Sequence, residues 1–246
     1  MNADSSKVSN LDSFVQRSQP LPEAKATSQE IRDRRSTFVA TVFNASSPAE
    51  AKTHVEYVRK VLHASRAATH EISAWRCMVL KTGKTGLGGP DDFELKTGYD
   101  DDGEQWAGVR VLRAMESQAV LDAVVICSRW YGRIMLGPAR FSHIETCTID
   151  ACRMFKNKQE LEECIAMLGT LDDILKDLRE ELALLNSDSP SATVSNQDAI
   201  RIKTKPLDYH SWTDADLPKA RRLVVAREKA VASVKNMIAK RRVTPD

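Results

Sequence analysis

The period of the apolar residues changes along the chain, and each change predicts an element. Residues 36–43 alternate apolar and polar, the period of a half-buried strand. Ser47-Pro48-Ala49-Glu50 then forms a capping box with proline at the first helical position. Ala51, Val55, Val58 and Leu62 follow at helical spacing, which predicts an amphipathic helix over 48–63. Residues 72–80 read as a second strand, and Lys81 to Gly98, with five glycines, as a loop. Asp102 is placed to cap a helix over about 103–118. Residues 122–128 contain a short β-branched run and read as a buried strand. Gly137-Pro138 opens a helix that puts Phe141, Ile144, Thr148, Ala151 and Phe155 on one face. Strands alternating with helices predict a two-layer α/β domain over 29–156.

Beyond 156 the period becomes seven. Leu161, Leu168, Leu175 and Leu182 form one seam, and Cys164, Leu171, Leu178 and Leu185 the second. This predicts an acidic leucine-heptad helix over 157–186, with Gly169 weakening it by about 1 kcal/mol. The Ser/Asp/Pro-rich stretch after it predicts a linker over 187–213. A basic helix over 214–243 carries Leu217, Val224, Val231 and Ile238 at the same period. Opposite charge and matching period predict that the two helices close as an antiparallel coiled-coil hairpin. A parallel homodimer through the leucines is the competing arrangement. Residues 1–28 are polar and predict a disordered tail.

Composition narrows the functional classes. A net charge of +2 does not mark the whole 246-residue chain as a nucleic-acid binder. No apolar run has the length of a membrane span, and no signal peptide is evident, so a cytoplasmic protein with no membrane role is expected. Cys77, Cys127, Cys147, Cys152 and Cys164 lack metal-ligand spacing and read as reduced core residues. Gly83-Lys84-Thr85 fails as a phosphate loop, because Met78 stands where its first glycine belongs.

Three stretches could carry chemistry. Asp100, Asp101, Asp102 and Glu104 could hold a divalent cation, or form a solvated turn that caps a helix. Arg129, Trp130, Tyr131, Arg133 and Arg140 could bind phosphate, stack a base or anchor a protein. They could equally pack the helix layer, with Arg129 paired to Asp101 or Glu104. On the basic helix, Arg221, Arg222, Arg227, Lys235 and Arg241 could meet RNA or simply complement the acidic helix. His70 and His143 lie in no recognisable catalytic triad, so no catalytic residue, metal or cofactor is assigned.

Four segments carry a family resemblance. They are Arg35 to Ala40 (R-S-T-F-V-A), Ala68 to Arg76 (A-T-H-E-I-S-A-W-R), Asp100 to Gly108 (D-D-D-G-E-Q-W-A-G) and Ser128 to Ile144, which begins S-R-W-Y-G. In this order they resemble the IMPACT (UPF0029) family, with Arg133 in place of the second glycine of a pair and Ala139 in place of an acidic residue. The resemblance implies a two-layer α/β sandwich similar to the second domain of a small-subunit ribosomal protein. It also implies a non-enzymatic regulator of translation and stress response. Family members bind the large ribosome-associated activator of the starvation-responsive eIF2α kinase, and some bind actin. His70, Arg76, Asp100, Asp101, Asp102, Glu104, Arg129, Trp130, Tyr131, Arg133, Arg140 and His143 are then the expected contact surface for a protein partner or RNA. The RWD domain that makes the activator contact in eukaryotic members is not expected within the short polar segment before the family domain. RNA or ribosome binding through the Arg/aromatic turn and the basic helix is the alternative.

Overall fold

The structure is a computed structural model and describes residues 21–187, 208–209 and 211–243. Its sheet contains β1 (Ala26–Thr27), β2 (Ile31–Asp33), β3 (Ser36–Asn44), β4 (His70–Leu80), β5 (Phe93–Asp100) and β6 (Ala123–Trp130). The helices are α1 (Pro48–Tyr57, extended by a π turn through Leu62), α2 (Ala107–Ser117), α3 (Ala139–Ser187) and α4 (Leu217–Val243). Strand order is β1-β3-β6-β4-β5, with β2 also on β3, and every pairing is antiparallel.

β6 lies between β3 and β4, and Ala123 through Arg129 are all buried. Its apolar run is therefore covered on both faces. Val125 and Cys127 pack with Phe38, Ile72, Val111, Ile144 and Phe155 beneath α2 and α3. Val124 and Ile126 pack with Phe43, Ala51, Val58 and Cys77 beneath α1. Helices thus cover both faces, giving three layers where two were expected. Alternation along β3 shows only which positions are buried, whereas unbroken burial of β6 needs a helix on each side. Each large aliphatic group buried here contributes roughly 1.5–3 kcal/mol.

Three local expectations are corrected. The stretch expected as loop ends in β5, an edge strand with mostly exposed side chains and so no apolar alternation. The end of the expected tail is ordered too: β1 pairs with β3, and the Ser28 hydroxyl accepts a bond from the Ala40 N–H. Residues 1–20 lie outside the described residues, as does most of the expected linker. Third, α2 starts at Ala107 rather than about 103, because Asp101 rather than Asp102 accepts from its first N–H groups.

The larger correction concerns the C-terminal helices. α3 continues through position 156 without a break, and α4 lies against its distal half in the same direction, not as an antiparallel hairpin. Leu161 clusters with Leu217 and Ala220, and Leu175 with Val231, Val234 and Ile238. The ion pairs Glu160–Arg221, Asp172–Arg227 and Glu181–Arg242 advance in the same sense. Heptad period and opposite charge suit either direction. The parallel sense is read from these pairs and from the Tyr209 hydroxyl, which donates to Asp172 at 2.6 Å.

Candidate functional site

The register of the sheet gathers the motif segments at one end. Arg129 on β6 stands opposite Phe38 on β3 and His70 on β4. The β5–α2 loop brings Glu104 to the same edge, and the β6–α3 loop brings Tyr131, Met135, Leu136 and Gly137. Together with Arg140 from the first turn of α3 these residues line a cleft of about 350 Å³.

Glu104 is the hub. Its carboxylate accepts from Arg129 Nη1 on one oxygen and from Arg140 Nε, at 2.5 Å, on the other. Glu104 and Arg129 are 6% and 5% exposed. Arg129 lies between the rings of Phe38 and Tyr131, 5.6 and 5.5 Å from their centroids, and its Nε has no partner. Burial pushes the Arg129 pKa down, and the positive Arg140 adds to the shift. His70 Nδ1 lies 2.8 Å from the Asp102 carbonyl, which can only accept, so Nδ1 carries the proton. Its Nε2 faces Glu104 at 3.7 Å.

A second buried carboxylate braces this end. Glu71 accepts from Ser128 Oγ and lies 2.6 Å from His63 Nδ1, while its N–H donates to Asp102 Oδ2 at 2.7 Å. The acidic run is thereby occupied with backbone. Asp100 accepts from Asp102 N–H, and Asp101 from Trp106 and Gly108 N–H. Asp102 also pairs with Arg59 at 2.9 Å. Among the described residues no acidic or His/Cys cluster has the form of a metal site.

The expected contact residues separate into groups. His70, Glu104, Arg129, Tyr131 and Arg140 meet at the cleft. Arg129 is buried and ion-paired with Glu104, which is the packing alternative the sequence left open rather than the exposed anchor. Trp130 packs on His63 and donates through Nε1 to the Arg66 carbonyl at 3.0 Å. Arg76 stands at the other end of the sheet, opposite Ala123, and donates to the Val120 carbonyl. His143 pairs with Asp33 at 2.8 Å beneath β2. On α4, Arg221 and Arg227 are engaged by Glu160 and Asp172, so they are not an open RNA surface. Lys235 and Arg241 have no such partner among the described residues, and Arg222 bonds the Pro218 carbonyl.

The turn after β6 explains its glycine and its missing one. A Cβ on Gly132 would meet the Arg35 carbonyl carbon at 2.1 Å, so this backbone approach excludes a side chain. Arg133 nonetheless adopts the conformation that glycine favours, with φ at 62°. Trp106 also escaped the sequence reading. It is 70% exposed and held at a φ of 69°, beside the loop that carries Glu104. A large ring at positive φ in a polar segment gives no periodic signal. Met135, 81% exposed, was also missed, since it lies in an irregular turn with no period. Burial raises the thiol pKa of Cys77 and Cys147 to about 11 and of Cys152 to about 12, the state of inert core thiols.

Comparison with known proteins assigns this architecture. Residues 34–152 match the family model of the Impact N-terminal domain. Protein IMPACT of Bos taurus is 34% identical over 150 residues, covering 60% of this chain and 43% of that protein. An IMPACT family member of Schizosaccharomyces pombe is 27% identical over 158 residues, covering 64% of this chain and 48% of that protein. The chain therefore matches less than half the length of these relatives. A solved structure described as the two-domain translational regulator Yih1 aligns at 28% identity with a TM-score of 0.35, covering 61% of this chain and 53% of that one. The matched segment holds all four motifs and every side chain that lines the cleft, so residues 34–152 form an Impact N-terminal domain, as in the IMPACT proteins.

Proposed function

We propose that this protein is a non-enzymatic regulator of translation that works by binding a protein partner at the motif-lined cleft. The observation that carries the reading is the convergence itself. Segments far apart in sequence supply a rigid, ion-paired floor, and Tyr131 and Met135 stand exposed around it, 41% and 81% respectively. Exposed aromatic and Met side chains over a fixed polar floor are the composition of a protein-binding hot spot. The family resemblance supplies the expected setting: a cytoplasmic stress response, a partner in the translation-control machinery, restraint of the eIF2α kinase through its ribosome-associated activator, and contact with actin in some members. The resemblance to the second domain of a small-subunit ribosomal protein, and the reading of α3 and α4 as a coiled-coil arm, belong to the same proposal.

The test is binding of the full chain to purified monomeric actin, with Tyr131→Ala and Met135→Ala, both on the cleft rim, as variants. Each should weaken binding by about 2 kcal/mol while the unfolding midpoint stays put. Unchanged affinity in both variants sinks the docking reading.

The outer face of α4 supports a second reading, contact with RNA or the ribosome. Lys229, Lys235 and Arg241 are exposed and have no ion-pair partner among the described residues. A gel shift with single-stranded RNA should weaken steeply with salt and be lost in the triple Glu variant of those three. A shift that survives the triple variant excludes α4 as the contact.

A further inference from the structure

The charges at the cleft do not balance. The charged side chains that line it, among the described residues, are Glu104, Arg129 and Arg140, with His70 beside them. One carboxylate is shared between two guanidinium groups. His70 donates from Nδ1 to the Asp102 carbonyl and turns Nε2 toward Glu104. Of the side chains that line the cleft, the one carboxylate and the two guanidinium groups therefore leave one positive charge in excess. Arg129 also lacks an acceptor. It is 5% exposed, its Nε has no partner, and its guanidinium lies between two rings. A buried arginine normally has its donors satisfied, and here one is left over. Proximity to Arg140 lowers the Arg129 pKa further, as expected where cations outnumber anions.

Deepening the docking reading proposed above, and resting on it, we infer that the cleft receives one acidic side chain of the partner protein, its carboxylate seated against Arg140 and Arg129 and its aliphatic stem under Tyr131 and Met135. The charge count favours a carboxylate over a phosphate. One negative charge restores neutrality, whereas a phosphate dianion would leave an excess negative charge beside buried Glu104. The rim fits the stem: Leu136 is buried in the wall, and Tyr131 and Met135 are exposed around the opening.

The experiment is an arginine Nε–H nitrogen-proton NMR titration of the full chain with N-acetyl-glutamate α-amide. The glutamine analogue and inorganic phosphate are compared at equal ionic strength. The Arg129 resonance should shift saturably with the glutamate compound and not with the glutamine one. Arg140→Gln should lower that affinity about tenfold, the weight of one charge-assisted contact. Glu104→Gln should raise it, since the internal competitor is gone. If Glu104→Gln does not fold, Arg140→Gln, whose side chain is 28% exposed, still decides the matter. No saturable shift, an equal response to the glutamine compound, or tighter binding of phosphate each overturns the inference. Failure of the glutamate titration while actin binding still depends on Tyr131 removes the carboxylate and leaves the docking surface. A saturable carboxylate response with actin binding indifferent to Tyr131 does the reverse.

Discussion

The two ends of α3 are held by opposite physics. Its first turns close a domain in which charge is buried: Glu104, Arg129 and Glu71 are each at most 6% exposed. Its last turns join α4 in a seam of Leu and Val, and there the charges stay outside. The Asp172–Arg227 and Glu160–Arg221 side chains keep about a third to a half of their exposure. A buried ion pair contributes little net stability when whole and costs much when halved, because the survivor is left uncompensated. An exposed pair is screened by water and contributes little either way. Charge therefore builds a site at one end and only flanks an apolar seam at the other.

The largest effect expected to expose this difference is Arg129→Ala, which should destabilise the fold by about 3–5 kcal/mol in urea unfolding. A loss below 1 kcal/mol would mean that the pair is solvated in solution. Next is Leu175→Ala, at 2% exposure in the arm seam, with an expected cost of about 2–5 kcal/mol. That loss should appear as faster amide exchange confined to the arm, with β6 still protected. Smaller and opposite in sign, Arg133→Gly should stabilise by about 1 kcal/mol by relieving the left-handed backbone. Destabilisation there would show that the Arg133 side chain makes a compensating contact. The smallest change, Asp172→Ala, should cost less than about 1 kcal/mol, and still less in high salt. A pH effect follows in the arm. Arg221 holds the Glu160 carboxyl below its usual range, so this pair supports the arm above the ordinary carboxylate pKa and is lost as pH falls through the depressed one. Arm exchange rates should rise in that acid window, and Glu160→Gln should abolish the rise.

What could be read from sequence follows the same division. Strands β3, β4 and β6 and helix α1 carry strong periodic signals, and the structure places them within a few residues of expectation. β5 was missed because an exposed edge strand has no buried face to produce alternation. The third layer was missed because an unbroken apolar run does not say what covers each side. At the site, the motifs marked His70, Glu104, Tyr131 and Arg140 but could not separate a surface arginine from a buried one. Arg129 and Arg140 look alike in sequence, and only the sheet register and the α3 cap distinguish them. For the helices, heptads fixed the seam and charges fixed complementarity. The parallel sense needed the contacts of Tyr209 and Arg227 with Asp172.

The most direct test that the motif cleft is the docking surface is site-specific photo-crosslinking to purified monomeric actin. A benzophenone amino acid would replace Met135 at the cleft rim in one protein and Met237 on the arm in another, both exposed, at 81% and 44%. An adduct with actin is expected from position 135, competed by unlabelled chain, and none from 237. An adduct from 237 with none from 135 would contradict docking at the cleft.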